Sequence, residues 1–596
     1  MRELLANLTL MVRASWQADR ARSVGAFVTT ALLPVTRPLR AIGLGLATDG
    51  IYRADTSTAT RGMLVVAALT AVSRLLEWAS LTIRMRLREH TVLLLDEQVM
   101  QVTGDVPGLE HHERPEHRDK LELLRLERPY LVNPFMPIAW TVASVVQVGA
   151  TVIVLATISP WLALLPVCGV PSLWAAGRTE RQRAALREDQ AERTRTMLHL
   201  LELATRSAAA KEVRLFGLGG LLVDRHRRAF TDLDRASTRF NLRSGAVMAT
   251  AWGVFGAAYM AAVAFVTLRV LDGHEALGAV VVTFSMGAQL TSQLSELVSN
   301  TSWFSRTLAA FTRYRWLLDY SAHATAGLRP TSPAPVPQAL QDGIRFSDVS
   351  FTYPGTDRPV LAGVDLHLPA GSIVAIVGEN GAGKTTLVKL LCRFYEPTSG
   401  ALTVDGIALD RFDLDEWRDA VSAGFQDFAR FQFSARDSVG VGRLDDLGDD
   451  ALVRAALSRA AAGDLPDRLP DGLGTQLGRD FDGVELSVGQ WQKVALGRAM
   501  MRTTPLLLVL DEPTASLDAH TEHELFQRYT AAAASAGRAR GAVTMLVSHR
   551  FSTVRMADII VVVAGGRVAE AGSHHELMAA RGLYAELFTL QASNYA

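Results

Sequence analysis

Cysteine is almost missing from this 596-residue chain. Cys168 and Cys392 are the only two and lie far apart, so neither a disulfide framework nor a cysteine-based metal site can be built. Net charge is missing as well. Lys+Arg and Asp+Glu both number 61, giving a formal net charge of +0, whereas a chain that binds a polyanion is as a rule strongly basic; no nucleic acid is expected as a partner. Lysine is confined to Lys120, Lys211, Lys384, Lys389 and Lys493 against a large excess of arginine, which reflects coding bias more than function. No internal repeat or low-complexity tract stands out. Residues 1–22 lack the unbroken apolar core of a signal peptide, since Arg2, Glu3, Arg13, Asp19, Arg20 and Arg22 interrupt it. They read as an amphipathic N-terminal helix lying on the inner membrane surface.

The most telling absence is local. Between Arg128 and Arg178 there is no Asp, Glu, Lys or Arg, and as one helix that run would be roughly 73 Å long, more than two bilayer cores. Ser159-Pro160 breaks it into two spans, Pro134 to Ile158 and Pro160 to Gly177. Gly245 to Leu268 and Ala276 to Ser295 are likewise free of formal charge, with the Asp272-Gly273 turn between them. Two more spans precede these: Ser23 to Thr48, interrupted by Pro34, Arg37, Pro38 and Arg40, and Gly62 to Ile83, whose Arg74 and Glu77 read as an intrahelical pair. Six spans are therefore expected. Arginines crowd residues 178–244 and 84–88 but are nearly absent from the short turns at 159–160 and 269–275, which puts the long loops and both termini in the cytoplasm.

Length and composition agree with this division. With 49% hydrophobic and 20% charged residues the chain is too apolar for disorder and too long for one domain. The expected fold is multidomain: an all-α membrane domain of six long helices over 23–320, a stiff Pro-rich linker over 321–343, and a soluble α/β domain over 344–596. The cytoplasmic loops are long and helix-like in pattern, so they carry helices of their own.

The chemistry lies in the last part. A buried strand, Ser372 to Val377, runs into Gly378-Glu379-Asn380-Gly381-Ala382-Gly383-Lys384-Thr385-Thr386 and then an apolar helix. In this strand-loop-helix context glycines let backbone N–H groups wrap phosphate oxygens, Lys384 neutralises the β- and γ-phosphates, and the Thr385 hydroxyl ligates Mg²⁺. A second buried strand, Leu506 to Leu510, delivers Asp511 and Glu512, the first placed to hold Mg²⁺ and the second to act as general base on the attacking water. A third, Val543 to Val547, ends at Ser548-His549.

Between them lies Glu485-Leu486-Ser487-Val488-Gly489-Gln490-Trp491-Gln492. At this point the sequence resembles the ATP-binding cassette (ABC) transporters, specifically the exporter type in which six membrane helices precede one nucleotide-binding domain. The resemblance covers essentially the whole chain. It implies that Tyr353 stacks on adenine, that Gln426 touches Mg²⁺ and the attacking water, that His549 holds the γ-phosphate, and that Asp518 crosses to a second nucleotide domain. It further implies that Ser487, Gly489 and Gln490 cap ATP on the P-loop of a partner, so that a second half-transporter, identical or different, completes each site. Coupling to the membrane would run through the loop tips at Gly108 to Asp119 and Lys211 to Gly217. The implied activity is an ATPase driving export of an amphiphilic small molecule, peptide or lipid across the cell (plasma or inner) membrane. An exporter-fold importer, an ATP-gated channel and a sensor ATPase share the same motifs.

One position departs from the family pattern: Val488 replaces the first glycine of the usual Leu-Ser-Gly-Gly-Gln signature. A β-branched residue is expected to be strained there if the position needs positive φ, and to crowd an approaching phosphate. Two consequences are open, slower turnover in a homodimer or a heterodimer with one weak site. Arg37 and Arg40 are the candidate substrate residues, lining a cavity that favours an acidic group, against the alternative that they snorkel or pair internally. No peptidase domain is expected before residue 23, which argues against a leader-cleaving peptide exporter.

Overall fold

Each charge-free stretch folds as helix, because only intrasegment hydrogen bonding satisfies every backbone group without water. The computed structural model describes residues 2–206, 209–330, 332–513, 540–548, 550 and 554–593. Among these, four helices are long and apolar enough to cross a membrane: Thr56–Asp105, Met136–Ile158, Pro160–Arg183 and Gly219–Leu271. The expected break at Ser159-Pro160 is a single extended residue, Ser159, followed by a tight 3₁₀ segment over Pro160–Gly169. The turn at Asp272-Gly273 forms with Gly273 at φ +74°, a conformation that glycine takes without strain.

The first and last expected spans are less uniform. Pro34 sits in a 3₁₀ turn, Leu33–Val35, between the helices Arg20–Leu32 and Thr36–Tyr52. Residues 276–295 begin the helix Leu277–Leu328, whose serines, threonines, Gln289 and Gln293 make it less apolar than the four above. Arg74 and Glu77 form the expected pair at 2.9 Å. Residues 1–22 give the helix Arg2–Ala18, with Asn7 donating to the Thr312 hydroxyl at 2.8 Å.

Contacts separate the chain into two units, residues 1–101 with 120–318, and residues 102–119 with 319–596. The tip of the first long loop, expected with the helical domain, is thus part of the C-terminal unit. Leu109 packs against that unit's core, and the Arg418 guanidinium donates to the Pro107 carbonyl at 2.6 Å.

The C-terminal unit is built on two sheets. The strands are β1 (Gly343–Phe351), β2 (Leu361–Pro369), β3 (Ile373–Val377), β4 (Ser399–Val404), β5 (Ile407–Ala408), β6 (Val421–Gly424), β7 (Leu507–Asp511), β8 (Val543–Val547), β9 (Ile559–Ala564) and β10 (Arg567–Gly572). An antiparallel sheet runs β2-β1-β4-β5, and a second runs β10-β9-β3-β8-β7-β6, parallel from β9 to β6. Every residue of β3, β7 and β8 is buried, as strands covered on both faces must be. Their parallel run carries the carboxyl ends to one edge, where the P-loop after β3 and the Asp511-Glu512 pair at the end of β7 emerge on either side of β8.

Candidate functional site

The P-loop shape is dictated by its glycines. Gly378 (φ +149°) and Gly383 (φ +105°) both lie in the region that L side chains rarely adopt, and a Cβ on Gly378 would sit 2.1 Å from the Val563 carbonyl oxygen. The chain therefore passes flush against the sheet and turns into the helix Lys384–Leu391 with its N–H groups directed outward. The Lys384 ammonium folds back over the loop, donating to the carbonyls of Gly378 and Glu379 at 2.9 Å each. Burial pulls its pKa below the ordinary lysine value, against the opposing charges of Glu512 and Asp511.

A cleft of about 710 Å³ opens over this loop, lined by Tyr353, Val360, Asn380, Gly381, Gly383, Lys384, Thr385, Thr386, Gln426 and Glu512. The expected residues thus converge. Glu379 contributes its carbonyl to Lys384, and Ala382 is buried beneath the loop, so neither side chain lines the cleft. The Gln426 amide donates to a Glu512 carboxylate oxygen at 2.8 Å, and the Glu512 amide is tied to the Val547 carbonyl on β8 at 2.9 Å. Glu512 takes φ +47°, a strained backbone for a glutamate, which turns its side chain off the end of β7.

Asp511 is 2% exposed, and its Oδ1 is buried without a hydrogen-bond partner. Burial pushes its pKa up to about 6, with the Thr385 hydroxyl working in the opposite direction. A buried, unsatisfied carboxylate oxygen beside a P-loop threonine is the donor set that a hard divalent cation fits.

Tyr353 also lines the cleft. Its hydroxyl shares a 3.1 Å hydrogen bond with Thr386, and its ring packs edge-on against Phe351 and Tyr395, at 4.9 and 5.4 Å between centroids. Sequence reading missed Val360, which has no motif to mark it and lines the cleft only because β2 begins there. It also missed Gln492, whose amide reaches the Glu512 carbonyl at 3.5 Å.

Ser487, Gly489 and Gln490 do not line this cleft. Ser487 and Gln490 instead close a reciprocal capping box at the start of the helix Val488–Ala499, with Ser487 N donating to Gln490 Oε1 at 2.8 Å. Val488 is the first residue of that helix and is absent from the residues of positive φ, so the expected backbone strain does not arise. What it adds is bulk, a side chain that is 50% exposed at a helix N-terminus. His549 and Asp518 lie outside the described residues.

In the helical unit, Arg37 lines a cavity of about 260 Å³ with Arg84, Gln147, Glu296 and Asn300, among others. It stands 3.6 Å from the Glu296 carboxylate. Arg40, three residues along the same helix, does not line that cavity.

Comparison with known proteins agrees with this geometry. The ABC transporter family matches residues 361–515. An ATP-dependent lipid A-core flippase of Ralstonia nicotianae is 42% identical over 249 residues, 42% of this chain and 40% of that protein. One from Aromatoleum aromaticum is 30% identical over 456 residues, 75% of this chain and 72% of that protein. Across three such relatives the chain spans from 40% to 62% of their length. A bacterial Atm1-family ABC exporter solved with ATP bound superposes with a TM-score of 0.79 at 25% identity, over 96% of this chain and 98% of that one. A P-loop cleft with its glutamate and glutamine in place, on a chain that aligns nearly end to end with a solved exporter, makes this protein a member of the ABC transporter family, a half-transporter of the exporter type.

Proposed function

We propose that the chain is one half of an ATP-driven exporter that moves an amphiphilic lipid-like molecule out of the cytoplasm by alternating access. The observation that carries this reading is the Gln426–Glu512 hydrogen bond at 2.8 Å, in the cleft that Lys384 and Thr385 line. Glu512 is held where a carboxylate can take a proton from water attacking a γ-phosphate, and Gln426 orients that carboxylate and the water. Lys384 offsets charge on the β- and γ-phosphates, and Tyr353 stacks on the adenine. Mg²⁺, held by Thr385, Asp511 and Gln426, would neutralise the charge that develops on the phosphate oxygens. Outside the described residues, His549 is assigned to the γ-phosphate and Asp518 to the dimer contact.

A second half-transporter completes each site. The signature residues Ser487, Gly489 and Gln490 stand apart from the cleft of their own chain, which supports their serving a partner's nucleotide. Leu215 and Phe216, at the end of the helix Ala210–Leu215, are 79% and 66% exposed, which suits a second loop tip that docks elsewhere than on its own chain. The arginine-rich loops support a cytoplasmic position for the cassette and both termini, in a multi-pass protein of the cell membrane. A lipid-like substrate is favoured because the relatives are flippases of lipid A-core. Arg37, beside Glu296 in a cavity among apolar helices, is the candidate contact for its acidic group. Arg40 has no such support.

The test is Mg²⁺-dependent ATP hydrolysis by the reconstituted chain beside Glu512→Gln. The expected result is activity that amphiphilic lipid stimulates and that the variant loses by about 100-fold or more. Lipid movement that proceeds without ATP would refute the transport reading. Inactive, monodisperse protein would place the functional unit in a heterodimer.

A further inference from the structure

We propose that Glu113, at the tip of the first long loop, is a positioning residue for the adenine-binding wall, so that seating of this loop sets the affinity for ATP. The inference rests on the assignment of Tyr353 as the adenine platform and goes beyond it by naming what holds that platform.

The geometry is a short chain of contacts inside the C-terminal unit. Glu113 ends the helix Glu110–Glu113, and its two carboxylate oxygens have separate partners. Lys389 Nζ donates to one at 2.7 Å and the Tyr395 hydroxyl donates to the other at 2.6 Å. These two partners are the groups that wall in Tyr353. Lys389 Nζ lies 5.2 Å from the centre of the Tyr353 ring, and Tyr395 meets that ring edge-on at 5.4 Å with an interplanar angle of 86°. A second contact comes from the next residue of the loop. A Cβ on Gly355, two residues beyond Tyr353, would lie 3.6 Å from Arg114 Nε, so the Arg114 side chain covers the turn that carries the tyrosine.

Charge explains why the acid matters. Burial disfavours the Lys389 ammonium, yet its pKa stays above the ordinary lysine value because the Glu113 carboxylate bonds to it. Burial and the same carboxylate raise the Tyr395 phenol's pKa, which keeps it a neutral donor. Without the acid, Lys389 has reason to extend toward water, and the Tyr395 hydroxyl has lost its acceptor. The Tyr353 ring then loses two fixed neighbours. Glu113, Lys389 and Tyr395 do not line the cleft over the P-loop, so the effect is expected on the base. Linkage makes it reciprocal: if loop seating tightens base binding, base binding tightens loop seating by the same factor.

The experiment uses the full reconstituted chain and compares Glu113→Gln, Glu113→Asp and Tyr395→Phe. Readouts are KM for ATP, kcat, and the affinity for inorganic tripolyphosphate, which has no base. Glu113→Gln should raise KM for ATP about tenfold, the scale of one charge-assisted hydrogen bond, with kcat at saturating ATP held within about twofold. Tripolyphosphate affinity should not change. Glu113→Asp should recover most of the loss, and Tyr395→Phe, which keeps the ring, should show a smaller rise in KM. An unchanged KM, or equal weakening of ATP and tripolyphosphate, overturns the proposal. Tyr353→Ala, measured in parallel, separates the two levels: if it leaves KM unchanged, the platform assignment fails and the inference with it. If Tyr353→Ala raises KM but Glu113→Gln and Tyr395→Phe do not, the inference alone fails.

Discussion

The two units of this protein solve opposite problems with the same chain. In the C-terminal unit the P-loop is shaped by backbone: Gly378 and Gly383 press it against β9 and β2, with no room for a side chain at either. In the helical unit the cavity is lined by apolar and polar residues together, with the Arg37 and Glu296 side chains about 36% and 48% exposed and 3.6 Å apart. A backbone site is rigid because moving it breaks sheet hydrogen bonds, whereas a side-chain site can change partners by rotating χ angles. Rigidity suits one invariant ligand, a triphosphate. Adaptability would suit the amphiphile proposed above, which must be released on the other side.

The largest test of this contrast is Gly378→Ala. Its Cβ would meet the Val563 carbonyl at 2.1 Å, backbone against backbone, so the loop must lift from the sheet. Binding of a fluorescent ATP analogue should be lost, with a stability cost of about 3 kcal/mol or more read from thermal unfolding. Gly381→Ala should cost much less, about 1–2 kcal/mol from its positive φ, because nothing lies within 4 Å of the added carbon. Equal effects of the two substitutions would show that conformation and not contact governs the loop.

Arg37→Ala sharpens the other side of the comparison. Basal ATPase should stay within about twofold of the parent, while stimulation by an acidic amphiphile disappears. A fall in basal activity as well would mean that the Arg37–Glu296 pair is structural. The smallest expected change is Val488→Gly. Since the valine sits on helical backbone, only its bulk is removed, and a rise in ATPase of about two- to fivefold is expected if that bulk crowds a partner's phosphate. An unchanged rate would mean that valine is simply tolerated.

Much of the cassette was legible in the sequence because its motifs fix backbone geometry locally. The run from Gly378 to Thr386 needs glycine at its turns, and Asp511-Glu512 must follow a buried strand to reach the same edge. Gln426 was expected by resemblance at the metal and the attacking water, and in the structure its amide bonds to the Glu512 carboxylate. Whether Val488 is strained was not legible, because strain depends on positive φ, and the Ser487 capping box makes the valine the first helical residue. The helical unit was legible only as spans, since apolar runs record burial in lipid but not which faces meet. Arg37 and Arg40 look equivalent in sequence, and only packing shows that one lines the cavity and the other does not.

The domain boundary shows the same limit more sharply. The sequence by itself determined a helical half and a P-loop half, because hydropathy and glycine spacing are local properties of consecutive residues. It also determined where each apolar run breaks, at Pro34, Ser159-Pro160 and Asp272-Gly273. Only the tertiary structure decided that residues 102–119 fold with the C-terminal unit, and that Glu113 meets Lys389 and Tyr395 from nearly half the chain away. The reason is that hydrogen bonds between residues so distant in sequence leave no periodicity or spacing in the chain. They exist only once two separately folded surfaces supply a donor and an acceptor at the same point.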